Sequence, residues 1–562
     1  MIKNLKSLNK KNILWLIFAG LLIIPAVWAL FVPGFYGASD DIHIAWLFEM
    51  HKIIMAGQIP PRFVPDLSFG FGYPLFNFVF PLPFYIAEIF HALGFSLVDS
   101  IKFLFFLTIP LSGIFMYFLL NQFTSKNLSL AGALLYIYTP YRSVDLYVRG
   151  AIGEIISFVF LPLILLSFIK IAKSKNLRWV GIGAISLAYL VLSHNITAYM
   201  FFPFIGLFVL LQIFFSQTKK QYITKVFLMV VLALLMSIYF WLPAIVDSAL
   251  MKYDTVFNFA DHFPTLLQLV KPYFGYGASV PGPYDGISFF LGISNLAVII
   301  LGLLSLVYFW NKYSKDQRII LIWGLICFLS AVFLMNYRSS FLWKTLPLLP
   351  YFQFPWRFLI LTTFVTPFFL IALEKIGKNN LITVSVVALT LITSASYFRP
   401  QDFLGRTDEY FINRYIPNPL ASEEYKKTQE EYLRLPKNTQ IRPDRNYPKA
   451  TGDNMSIKTI INENDLNSIL NVESDKGTII NYNKYFFPGW SVKIDEKESP
   501  AYAGSPFGQL AFFVGPGSHT VKVAFEETAF KKILDAISLT AFLVSLMLAK
   551  LWIRSKKNGL SF

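Results

Sequence analysis

Cysteine is almost missing: Cys327 is the single one, and it stands inside an apolar run. That excludes an intrachain disulfide, a cysteine-based zinc finger and a dithiol redox pair. Charge is scarce as well, 15 % of residues against the ~25 % of soluble domains. With hydrophobic residues at 55 % and a mean hydropathy of +0.54, this shortage excludes both disorder and a single soluble core. Histidines number six, with no HxH pair, so no histidine-bound zinc is expected. Walker, RNP and helix-turn-helix patterns are absent too, which argues against a P-loop pump and against nucleic acid as a partner.

What is present is length without charge. Twelve apolar runs, at about 13–32, 103–121, 127–140, 152–170, 178–194, 198–216, 222–243, 289–310, 318–336, 357–374, 380–397 and 532–552, read as membrane spans. The net charge of +16 is gathered in the loops between them. Basic clusters at 170–178, 219–225, 312–318, 375–378 and 554–557 alternate with loops poor in Lys and Arg, and the positive-inside rule puts the clusters in the cytoplasm. The same rule requires the apolar stretch 75–94 not to cross, because crossing would move every later basic loop to the other side.

The expected protein is therefore an α-helical polytopic membrane protein of the plasma membrane, with about 12 spans, both termini cytoplasmic and a small extracytoplasmic β-sandwich. Residues 1–397 form the transmembrane domain. Residues 398–530 form the external domain, a charged linker followed by strand-like runs (MSIKTII, GTIINYN, WSVKI, LAFFV, HTVKVAF). Residues 531–562 are a last span and a basic tail. Between 399 and 527 there are 16 basic and 18 acidic side chains, so the excess positive charge is not in the external domain.

Ionisable groups beside hydrocarbon are costly and point to function. Four outer loops carry them. Asp40 and Asp41 follow the first span, where paired acids suit a divalent cation or serve as an N-cap. The loop 141–154 holds Arg142, Asp145 and Arg149 and runs into Glu154; Asp145 and Arg149 are four apart and can pair. Ser193-His194-Asn195-Ile196-Thr197 forms an outer turn. Trp356 and Arg357 close the aromatic stretch 351–357, where Arg357 is either a phosphate ligand or a snorkelling cation.

In combination these loops resemble the GT-C superfamily of integral-membrane glycosyltransferases, marked by an Asp-Asp pair in the first external loop. The segments YVRGAIGE at 147–154, SHNITA at 193–198 and QFPWRF at 353–358 resemble the bacterial membrane proteins labelled "6-pyruvoyl-tetrahydropterin synthase-related domain". Tyr485, the segment 487–490 and GPGSHTV at 515–521 are similar to the YfhO-like family, which is implicated in glycosylating cell-envelope polymers. The pterin label carries no pterin and no zinc, since no histidine cluster is present. The resemblance implies sugar transfer from a polyprenyl-phosphate donor to an envelope glycan, lipid or polymer. It implies Asp40, Asp41 and Glu154 as catalytic carboxylates, with an optional Mg or Mn ion on Asp40 and Glu154. Substrate would be held by Arg142, Asp145, Arg149, His194, Asn195, Trp356 and Arg357. Two other functions fit the composition: a transporter or flippase of lipid-linked glycans, and a non-catalytic scaffold that binds envelope polymers.

Overall fold

The computed structural model describes residues 19–252, 258–416, 434–453 and 455–557. The first part of run 13–32 and part of the charged linker lie outside the described residues. The chain is mostly helical, with a β-sheet region near its C-terminus.

Eight helices are long and apolar enough to cross a membrane: Leu97–Leu120, Ile152–Lys173, Asn195–Phe215, Lys219–Ser248, Lys315–Met335, Pro355–Ile376, Asn379–Tyr397 and Ala529–Lys550. Each coincides with a run expected from hydropathy. Three expected spans are shorter as helices, Lys126–Ile137, Arg178–Ser193 and Ile293–Tyr308, and the described part of a fourth run is Ala19–Phe31. At 1.5 Å per residue the 16-residue helices reach about 24 Å, less than the ~30 Å of bilayer hydrocarbon. The stretch 75–94 holds only the short helices Leu75–Phe78 and Leu82–Ala92. Prolines at 81 and 83, which permit a first turn but no continuation of one, punctuate it.

The helix ends follow local chemistry. Ser96, Ser125 and Ser314 accept a backbone N–H three residues on, and Gln317 completes a capping box with Ser314. Pro355–Ile376 is the most buried of the eight, every residue from 355 to 373 being buried.

The β region is two antiparallel sheets. One orders the strands Ala450–Thr451, Thr478–Tyr485, Gln509–Val514 and Ala501–Gly504; the other orders Met455–Asn464, Asn467–Ser474, Gly517–Phe525, Trp490–Ile494 and Lys497–Ser499. Alternate residues of both face one core: Leu470, Val492 and Val523 from the five-stranded sheet, Ile480, Leu510 and Phe512 from the four-stranded one. The turns at 488–489 and 515–517 do not make hairpins. Each carries the chain from one sheet to the other.

This region sits on the segment between helices Ala19–Phe31 and Leu97–Leu120. Phe63 packs against Trp490 and Phe525 at ring distances of 5.4 and 5.0 Å. Lys484 donates from Nζ to the carbonyls of Pro65 and Gly70, both at 2.8 Å. Burial lowers the Lys484 ammonium from its usual 10.5 to about 8. A lysine whose folded pKa lies below its unfolded one folds best deprotonated. Its contribution is complete above about pH 10.5 and is lost as pH falls toward 8. Thermal melting in detergent should therefore show stability rising between pH 8 and 10 from this group. Lys484→Met should flatten that part of the profile; an unchanged slope would remove Lys484 as the titrating group.

Candidate functional site

The loop 37–42 and the loop before Glu154 are zipped together by backbone. The Ser39 and Asp40 N–H groups donate to the carbonyls of Val148 and Arg149, at 3.1 and 2.7 Å. Val144–Arg149 winds as a wide π-type turn that ends at Gly150, φ +69°. A side chain there would be strained and would come within 3.2 Å of the Ala38 methyl. The turn leaves Asp145 and Arg149 on one side, and the next helix begins at Ile152, so Glu154 falls in its first turn beneath them.

Glu154 is the hub. Its Oε1 lies 3.0 Å from both Arg149 Nη2 and Arg357 Nε. Oε2 accepts from the Tyr141 hydroxyl and from Arg149 Nη1, both at 2.8 Å. Arg149 Nη1 also donates to Asp145 Oδ1 at 2.6 Å, and its guanidinium lies 4.9 Å from the Trp356 ring. Arg357 spends Nη1 on the Phe352 carbonyl and on Gln353 Oε1. Two buried guanidiniums thus balance two buried carboxylates. Gln353 itself stands at φ +65°, ψ −54°, a conformation non-glycine residues rarely adopt. Such strain persists where surrounding contacts over-determine it.

His194 caps helix Asn195–Phe215, its Nδ1 accepting from the Thr197 N–H. An accepting Nδ1 places the ring proton on Nε2. The ring so held offers an N–H at Nε2 rather than a charge.

The adjacent acids Asp40 and Asp41 separate. Asp41 is buried and pairs with Arg406 at 3.2 Å and with the Tyr415 hydroxyl, which ties the loop to helix Asp408–Tyr415. Burial lifts its carboxyl above the ordinary value although Tyr415, Arg414 and Arg406 pull it down. Asp40 is half-buried, and no side chain among the described residues hydrogen-bonds or pairs with its carboxylate. It lines two cavities at once, and so do Arg149, Gln353 and Arg357. One cavity, of about 340 Å³, is completed by His43, Phe80, Glu154, His194 and Asn195. The other, of about 630 Å³, is completed by Tyr276, Ser279, Trp356, Gln401 and Asp402.

Of the residues singled out from sequence, Asp40, Asp145, Arg149, Glu154, His194, Asn195, Trp356 and Arg357 come together here. Arg142 does not: it turns into the helix bundle, donates to Ser112 at 2.8 Å and lies over the rings of Tyr136 and Phe158. Asp41 adjoins the site but faces away from both cavities. Asp145 meets Arg149 rather than open space, so it acts by holding that arginine. Tyr141, Gln353 and His43 are additions. Tyr141 and Gln353 stood inside the segments already marked and His43 lies two residues past the acid pair, but nothing in their spacing distinguished them.

A divalent cation does not suit this donor set. Three hydrogen-bond donors and the ion-paired Arg357 Nε already crowd the two oxygens of Glu154, and among the described residues no group of three or more His, Cys, Asp or Glu could hold an ion.

No protein-family model matches the chain. A protein of Lactococcus lactis subsp. cremoris (strain MG1363), described as "Uncharacterized protein", is 26 % identical over 250 residues. That match spans 43 % of this chain and 41 % of the relative.

Proposed function

We propose that this chain is an integral-membrane glycosyltransferase moving a sugar from a polyprenyl-phosphate donor to an envelope glycan, lipid or polymer. The observation that carries the reading is Asp40: an unpartnered carboxylate where two cavities meet, opposite Arg357 and the Nε2–H of His194. All 12 runs are taken as spans, the shorter helices in part through neighbouring turns. The two sheets are taken as an extracytoplasmic sandwich, with the site on the outer face.

In this reading the smaller cavity, with Phe80 and Ile196 in its wall, receives the prenyl phosphate. The larger one receives the acceptor. Asp40 takes the proton of the acceptor hydroxyl as its oxygen bonds to the sugar carbon. The bond from that carbon to the phosphate oxygen breaks, and the electron pair leaves with the phosphate. Arg357 and His194 meet the charge that develops there, and a partly dry site strengthens each contact. Arg149, Glu154 and Asp145 hold Arg357 in place. A transporter of lipid-linked glycans would instead place charge along a path through the midplane. A scaffold would have no need of an unpaired acid between two cavities.

The test is donor binding in nanodiscs. Arg357→Ala should weaken binding of a polyprenyl-phosphate sugar roughly 10- to 150-fold, the worth of one charge-assisted hydrogen bond. Arg357→Lys should restore part of it, because lysine keeps the charge but not the fork. Unchanged affinity with a lowered melting temperature would make Arg357 a structural cation and remove the phosphate site.

A further inference from the structure

The two sheets of the C-terminal region turn opposite kinds of surface outward. On the five-stranded sheet Lys493 lies across from Glu498 and Lys522, and Glu473 lies across from Ser518. That face is dressed in charge, as a water-facing sheet is. The strands of the four-stranded sheet contain one charged residue, Lys484, and it is buried against Pro65 and Gly70.

The register of this second sheet defines what its outer face holds. One row runs Tyr502, Ala511, Asn481, Thr451 across the strands, and the next pairs Phe513 with Ile479. The alternate residues Ile480, Tyr482, Leu510 and Phe512 point into the core. Tyr502, Phe513 and Ile479 are 45 %, 57 % and 48 % exposed. Between them the floor is closed, with Ala511 and Gln509 buried at 1 % and 3 % exposure. Ala511 is small, and a Cβ on Gly504 would meet Asn481 Oδ1 at 2.8 Å and the Ala511 methyl at 3.1 Å. Gln509 donates to Asn481 Oδ1 at 2.9 Å, which orients the Asn481 amide and leaves its NH₂ group as a donor.

We propose that this face binds an uncharged glycan chain. Aromatic rings offer faces for sugar C–H groups, an oriented amide and the Thr451 hydroxyl offer partners for sugar hydroxyls, and the absence of charge matches a neutral ligand. Size excludes the main alternative. Four strands about 4.8 Å apart and up to 8 residues long give a face on the order of 14 by 26 Å. That is well below the ~800 Å² per partner of a stable protein interface, yet long enough for a few sugar units. The proposal concerns a surface apart from the Asp40 cavities and does not depend on the transfer reading.

The experiment uses the full chain in nanodiscs and neutral hexasaccharides of α-glucan, β-glucan, mannan and galactan, with binding followed by thermophoresis. At least one should bind, with affinity unchanged between low and high salt. Tyr502→Ala and Phe513→Ala should each weaken it about 3- to 10-fold. The double variant should lose measurable binding while melting like the wild type. The proposal is overturned if none of the four binds, if the double variant binds as well as the wild type, or if salt abolishes binding. It is also overturned if the wild type is a dimer that the double variant turns into a monomer, because a second copy would then cover the face.

Discussion

Asp40→Asn is expected to abolish sugar transfer while leaving membrane insertion and melting temperature unchanged. A positioned base contributes roughly 10²- to 10⁴-fold to such a step, and asparagine cannot accept the proton. Stability should hold because the Asp40 carboxylate has no partner to lose, and its backbone N–H bond to Arg149 survives the substitution. Asp41→Asn should behave in the opposite way. It weakens the tie to Arg406 and Tyr415, so the melting temperature should fall. Both variants are assayed for transfer from a radiolabelled polyprenyl-phosphate sugar, with melting curves from the same preparations. Wild-type turnover in Asp40→Asn would remove the base from the proposed mechanism.

Glu154→Gln should produce the largest loss of stability of any single change at the site. The carboxylate neutralises Arg149 and Arg357 in a buried setting. Removing one member of a buried ion set costs roughly 3–5 kcal/mol, because the remaining charges are left uncompensated. Donor affinity should fall as well, since Arg357 loses the group that aims it. Orphaned charge, rather than lost packing, is the cause if a second substitution repairs it. Adding Arg149→Met to Glu154→Gln should recover part of the melting temperature, and the difference is read as a double-mutant cycle. Strict additivity of the two losses would contradict the ion cluster as described.

Sequence exposed this site to different depths. Asp40, Glu154, His194 and Arg357 were legible because each is a polar group at the end of an apolar run, where burial without purpose is expensive. Their convergence needed only that the loops lie on one side. The distinction between Asp40 and Asp41 was hidden, because Arg406 and Tyr415 lie more than 360 residues away in the chain. Arg142 misled for a related reason: a loop residue beside a charged pair reads as surface, yet the turn at 140–143 directs it into the bundle toward Ser112. The strand Asn467–Ser474 went unseen because Ser468 and Ser474 stand at inward positions and Ile469 at an outward one, which masks a period of two that its burial displays plainly. The eight long helices were legible from hydropathy alone. Lys126–Ile137, Arg178–Ser193 and Ile293–Tyr308 are shorter because flanking turns, which hydropathy does not register, take residues from the runs.

The central claim is that a prenyl-linked phosphate sits between Arg357 and His194, with Asp40 at the acceptor side. The most direct measurement is a structure of the protein in nanodiscs with a non-transferable polyprenyl-phosphate sugar analogue. The account predicts the phosphate within hydrogen-bond distance of the Arg357 guanidinium and of His194 Nε2, the prenyl chain leaving past Phe80, and the sugar carbon next to Asp40. An analogue lodged among the spans away from Arg357, with both cavities at Asp40 empty of it, would contradict the account.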